Sequence, residues 1–157
     1  MYQMNKSVTK TKKETTYPAA GDVVAGLVMQ DAPALSSPDM IRFVKQGLVF
    51  DELLALQSSL ELPLDKLAQK LGISKATLHR RKLDGRLAPE ESDRVIRFAR
   101  LMGKAVTVFE TEENARLWLS SPQVGLGGAI PLDYAGTEIG AREVEDLLGR
   151  IEYGVYS

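Results

Sequence analysis

The chain has 157 residues, 44% of them apolar, enough for a genuine core in one moderate domain or two small ones. It has no cysteine, which excludes disulfides and thiolate zinc sites and suits a reducing cytoplasm. The net charge of −1 hides a division: Leu64 to Leu87 carries seven Lys or Arg against two Asp, whereas Lys104 to Ser157 carries four against nine Asp or Glu. Surfaces of opposite sign suggest two different partners, although acidic groups also serve simply to solvate helices. Only 6% of residues are aromatic. Leu, Ala and Val supply much of the apolar content, so an all-α fold is expected. No apolar run approaches the roughly 20 residues of a membrane span. The N-terminal lysines have no apolar core behind them, so they do not form a secretory signal.

Residues 1 to 20 read as a disordered basic arm. Lys6, Lys10, Lys12 and Lys13 lie among Thr, Ser and Gln with almost nothing to bury. Such an arm either touches phosphates without sequence preference or has no role. Gly21 to Leu35 is apolar but unpatterned, a short helix or an extended segment. Ser37-Pro38-Asp39 predicts a helix start with Ser as cap, Ile41, Val44 and Leu48 facing inward and Gly47 limiting the helix. Phe50 to Leu60 predicts a firmer helix, with Leu53, Leu56 and Leu60 at i, i+3 and i+7 and Leu54 widening the face.

Leu64 to Arg81 predicts two short helices around a tight turn. Leu64, Leu67, Ala68 and Leu71 share one face, Gly72 ends the first helix, and Ile73 fills the corner. Ser74 caps a second helix anchored by Leu78. Small Ala, turn Gly, apolar Ile, capping Ser and buried Leu at these offsets form the pattern of a helix-turn-helix, whose second helix enters the DNA major groove. Arg81 departs from that pattern by standing where an apolar residue is usual, and it is expected to pack its stem while its guanidinium points outward. Asp84-Gly85 makes a turn. Pro89 opens the next helix, with Glu90, Glu91 and Asp93 in its first turn and Val95, Ile96, Phe98, Ala99 and Met102 inward. Five helices then complete a small DNA-binding domain.

Beyond Glu110, Thr111 caps a helix carrying Ala115, Leu117, Trp118 and Leu119, which Ser121-Pro122 ends. Trp118 is either core, against Leu126 and Leu147, or a dimer contact. Val124 to Ile130 is a Gly-rich loop and Pro131 to Tyr134 a single helical turn. Thr137 caps a last helix with Ile139, Val144, Leu147, Leu148 and Ile151 buried. The glycines from Gly125 to Gly128 lack the Lys-Ser/Thr of a P-loop and the strand–helix context of a dinucleotide fold. His79 is the sole histidine and has no cysteine to join it in a metal site. The carboxylates lie on helix faces and first turns, where dipole and solvation account for them. Nothing assembles a nucleophile, base and orienting group, so neither an enzyme nor a cofactor is expected.

Ala115 to Leu119 (ARLWL), Ser121-Pro122, Leu126 to Asp133 (LGGAIPLD) and Gly140 to Ser157 (GAREVEDLLGRIEYGVYS) closely resemble the C-terminal domain of the MbcA/ParS/Xre antitoxins. Leu78 to Arg81, and Leu87 with Glu91 to Arg94, resemble the Xre-type helix-turn-helix that precedes it. The resemblance covers Val49 to Ser157. It implies an antitoxin that dimerises, binds its own operon promoter and blocks the NAD pocket of a cognate RES-domain toxin in the cytoplasm. Lys75, Thr77, His79 and Arg80 are then expected to face the operator DNA groove, with Arg81 and Lys82 nearer phosphate. Arg150, Glu152, Tyr153, Tyr156 and Ser157 are expected to reach the toxin. A helical DNA-binding domain over 21–105 and a toxin-binding domain over 106–157 follow. The competing reading is a free-standing helix-turn-helix regulator whose C-terminal part dimerises or senses a ligand.

Overall fold

The structure, a computed structural model, describes residues 18–30 and 36–154. Most of the expected basic arm, residues 1 to 17, lies outside the described residues, as do Tyr156 and Ser157. In chain order the helices are α1 (Asp22–Met29), α2 (Ser37–Gln46), α3 (Phe50–Leu60), α4 (Leu64–Lys70), α5 (Lys75–Asp84), α6 (Pro89–Phe109), α7 (Glu112–Leu119), α8 (Pro131–Tyr134) and α9 (Glu138–Glu152). A 3-10 turn, Val124–Leu126, joins α7 to α8. Among the described residues the only non-helical pairings are two isolated antiparallel bridges, Val49 with Arg86 and Gln123 with Ala129. The fold is all-α, as expected.

The fold is built around α6. It opens on Pro89, whose missing amide costs nothing in a first turn, with Glu90 and Glu91 beside it. Val95, Ile96, Phe98, Ala99, Leu101, Met102 and Ala105 are buried along it. So many buried positions leave little polar face, the signature of a central rather than a surface helix. Helices α1, α2, α3, α7 and α9 all pack against it. The domain boundary expected at 105/106 therefore falls inside a continuous helix.

Several expected details are corrected. The unpatterned stretch after Gly21 folds as α1, burying Val23, Val24 and Val28. It approaches α6 backbone to backbone, because Gly103 leaves room where a Cβ would stand 2.3 Å from the Leu27 carbonyl oxygen. The cap of α2 is Ser36 rather than Ser37. Its inward face is one residue out of phase with the Ile41–Val44 reading. Met40 and Phe43 are buried while Ile41 is 55% exposed, since the larger Phe43 ring gains more from burial. Leu54 and Ile139 lie on outer faces instead of widening apolar ones, and Ile151 is half-buried. Trp118 is half-buried against Phe109, with ring centroids 5.4 Å apart.

One carboxylate expected to be solvated is fully buried. Glu52, on α3, points into the N-terminus of α1. Its Oε1 accepts hydrogen bonds from the amides of Gly21 (3.0 Å) and Val23 (3.1 Å), and its Oε2 from Val24 (2.9 Å). A helix begins with amides that have no intrahelical acceptor, and here a distant side chain supplies one for three of them. Burial pushes the Glu52 carboxyl above its ordinary value; the three amide donors pull it down, and nearby Asp22 adds to the rise.

Glu52→Ala leaves three amide donors unpaired, two of them buried, and is expected to cost roughly 3 kcal/mol or more in urea unfolding. Because folding raises this pKa, the folded state holds the proton to higher pH than the unfolded one. The stability Glu52 contributes is complete below its ordinary value of 4.5 and is lost as pH rises through the raised pKa. The margin of the natural protein over Glu52→Gln should accordingly narrow as pH rises from about 4.5 towards neutrality. A margin that widens over that range refutes the assignment.

Candidate nucleic-acid interface and C-terminal surface

The first candidate surface is built from α4, its turn and α5. In α4, Leu67 and Ala68 are buried, and Leu71 and Ile73 close the corner behind them. Gly72 takes φ +72°, a turn conformation that a side chain would strain. Ser74 then caps α5, its Oγ accepting from the Thr77 amide at 3.2 Å and lying 3.0 Å from the Thr77 hydroxyl. After α5 the chain is tied back to the segment between α2 and α3. The Phe50 amide donates to Gly85 O at 2.9 Å, Leu87 N to Leu48 O at 2.8 Å and Arg86 Nη1 to Gly47 O at 2.6 Å.

Lys75, His79, Arg80 and Lys82 are all exposed, and Lys75, His79 and Lys82 recur at i, i+4 and i+7 on one side of α5. None forms an ion pair with an acid among the described residues. The charges of Lys75, Arg80 and Lys82 are therefore free for a polyanion. Thr77 is half-buried and its hydroxyl joins the Ser74 cap. Arg81 corrects the sequence reading, because its guanidinium turns inward instead of out. Nε donates to Glu91 Oε1 at 2.7 Å, and that bond raises the Arg81 pKa further.

Glu91 was missed as a site residue. It is buried, and the same oxygen accepts from the Ala88 amide at 2.8 Å. The one available signal was its position three residues after Ala88, the acceptor half of a capping box without the usual Ser or Thr. Ser92 and Arg94 act beside it. Ser92 Oγ accepts from Leu48 N and donates to Ala88 O, both at 2.8 Å. Arg94 Nη1 donates to Leu71 O at 3.0 Å, at the end of α4.

The second surface is acidic and C-terminal. Thr111 caps α7 and Thr137 caps α9, as expected. Gly140 lets α9 start against α8, since a Cβ there would sit 1.7 Å from the Tyr134 carbonyl oxygen. Arg150, Glu152 and Tyr153 are exposed at the end of α9, Tyr153 by 80%. With Lys104, Glu145 and Gly149, Arg150 and Tyr153 line a depression of about 410 Å³. The glycine loop is a closed corner: the amides of Gly127 and Gly128 donate to Val124 O and Gln123 O. They are not free to cradle a phosphate.

Side-chain links also tie the C-terminal helices to α3 and α4. Arg116 on α7 donates to Ser59 O at 3.2 Å and pairs with Glu61 at 3.4 Å, after α3. Lys70 on α4 pairs with Asp133 on α8. No group of three or more His, Cys, Asp or Glu suited to a metal occurs among the described residues. No helix among them is long and apolar enough to cross a membrane.

Residues 39–100 match the family described as the antitoxin Xre-like helix-turn-helix domain, and residues 104–154 the antitoxin Xre/MbcA/ParS C-terminal toxin-binding domain. Similar proteins include the antitoxin Xre of Yersinia enterocolitica, 37% identical over 127 residues, which span 80% of this chain and 86% of that protein. An antitoxin Xre of Photorhabdus laumondii is 40% identical over 74 residues, 46% of this chain and 50% of its own. One of Pseudomonas putida is 35% identical over 71 residues, 45% of each chain.

Ser74→Ala removes the acceptor for the Thr77 amide and is expected to destabilise α5 by about 1 kcal/mol. Hydrogen exchange at the first-turn amides of α5 should quicken, while the amides of α6 keep their protection. Equal loosening of both helices would contradict a cap that acts locally.

Proposed function

From the premise that this chain belongs to the Xre/MbcA/ParS antitoxins, we propose that it neutralises a RES-domain toxin and represses its own operon, as a homodimer in the cytoplasm. It is an antitoxin of a toxin–antitoxin system and carries a helix-turn-helix. The finer reading is carried by the placement of its free charges. Lys75, Arg80 and Lys82 stand exposed on α5 without an ion pair among the described residues, while an exposed tyrosine stands at the end of α9 beside Arg150 and Glu152.

On the DNA side, α5 enters the major groove with Lys75, His79 and Arg80 towards the bases and Lys82 towards phosphate, while Thr77, expected beside them, keeps its hydroxyl in the cap. Phosphate neutralisation supplies affinity and base edges supply the choice of sequence. Two-fold pairing of chains places two copies of α5 about 34 Å apart, one helical turn of DNA. On the toxin side, the last turn of α9 and the residues after it, Arg150, Glu152, Tyr153, Tyr156 and Ser157, enter the pocket where the toxin holds NAD. An aromatic plug suits this role, because tyrosine covers area at low cost in rotamer entropy. The chain acts by occupying its partners and not by catalysis. The domain division at 105/106 becomes one of partners: residues 21–105 serve DNA and residues 106–157 serve the toxin.

Arg80→Ala is expected to weaken operator binding by about 1–3 kcal/mol in an electrophoretic shift while leaving toxin neutralisation intact. Deleting Gly154 to Ser157 should have the opposite effect, retaining operator binding and losing rescue of cells that express the neighbouring toxin gene. Failure of the natural chain to co-purify with a RES-domain protein favours a free-standing regulator instead.

A further inference from the structure

We infer that Arg81 is a positioning residue: by pairing with Glu91 it fixes the orientation in which α5 is presented to DNA. This rests on the DNA-binding reading above and changes the role of one residue within it. No side chain of α5 is buried among its ten residues, so apolar packing alone does not fix its rotation. Leu78, Thr77 and Arg81 are half-buried. Leu78 offers a pivot rather than a keyed face, and the Thr77 hydroxyl is engaged in the cap. The helix ends are held by Ser74 and by the bonds around Gly85. Between them, the Arg81–Glu91 bond is, among the described residues, the only side-chain hydrogen bond joining α5 to α6.

Both halves of that bond suit a fixed strut. Arg81 follows Leu78 by three residues, so it shares the inward side of the helix. The Glu91 side chain is 9% exposed, and its Oε1 is already held by the Ala88 amide at the start of α6. The acceptor therefore cannot follow α5 if the helix rolls. A charge-assisted bond from Nε, rather than from a terminal nitrogen, also fixes the guanidinium plane close to its stem. Lys75, Arg80 and Lys82 carry their charges outward, and His79 its imidazole, without such ties. A small roll of α5 displaces base-reading atoms by more than the tolerance of a hydrogen bond, whereas flexible lysines still reach phosphate. Loss of the strut should therefore reduce discrimination before it reduces non-specific affinity.

The test uses the full chain, a duplex spanning its own promoter and a scrambled duplex of equal length, titrated by fluorescence anisotropy between about 50 and 200 mM salt. Arg81→Met and Glu91→Gln should each lower promoter affinity about tenfold with the salt slope unchanged and little loss on the scrambled duplex. The double variant should be no worse than either single one, since both act on the same contact, Arg81→Met by removing the donor and Glu91→Gln by removing its charge. Arg81→Lys should recover part of the loss. A direct phosphate contact gives the opposite pattern: Arg81→Met lowers the salt slope by about one, and Glu91→Gln, by releasing Arg81, leaves affinity equal or higher. That pattern overturns the inference. If Glu91→Gln does not fold, the slope of Arg81→Met alone decides. A natural chain that shows no preference for its promoter refutes the DNA reading itself, a result distinct from either pattern.

Discussion

Glu91 Oε1 accepts two hydrogen bonds, one from the Ala88 amide and one from Arg81 Nε, and the arrangement of the helix-turn-helix depends on that shared oxygen. With Ser92 and Arg94 it makes the first two turns of α6 a clamp. Ser92 holds the segment before α3, Arg94 the carbonyl end of α4 and Glu91 the exposed α5. Each bond alone is worth about 1 kcal/mol, somewhat more where a charge is involved. Their effect is geometric, because α5 has too little buried surface to choose its own orientation.

The same helix carries that order into the C-terminal region. Its buried apolar residues extend from Val95 to Ala105, and α1, α2, α3, α7 and α9 all pack on it, α1 crossing at Gly103 near its C-terminal end. Arg116 and Lys70 fasten the two regions at points away from α6. The charged groups thus divide into two populations. Glu52, Glu91, Arg81, Arg94 and Arg116 are spent within the fold, on helix ends and crossings. Lys75, Arg80, Lys82, Arg150 and Glu152 are left at the surface, where the proposed partners would meet them. Net charge alone does not make this distinction, since an internal arginine and a free one count equally.

The pattern of the chain was enough for what is local. Periodicity gave α3 from Phe50 to Leu60, Gly72 and Ser74 gave the turn and cap of the helix-turn-helix, and Thr111 and Thr137 gave the starts of α7 and α9. These follow from backbone conformation and from side chains reaching amides two or three residues away. The basic character of Leu64 to Leu87 was equally plain, and the motifs from Ala115 onwards were long enough to indicate the family. What tertiary structure decided depends on residues far apart in the chain. The pattern put Ile41 inward on α2, and only the core showed that Met40 and Phe43 take that side; α1 had no pattern of its own until Gly103 and Glu52 received it. The inward turn of Arg81 required Glu91, ten residues away, to be buried at the foot of another helix. A carboxylate reads alike in sequence whether water or three amides surround it, because its surroundings are set by packing rather than by its neighbours along the chain.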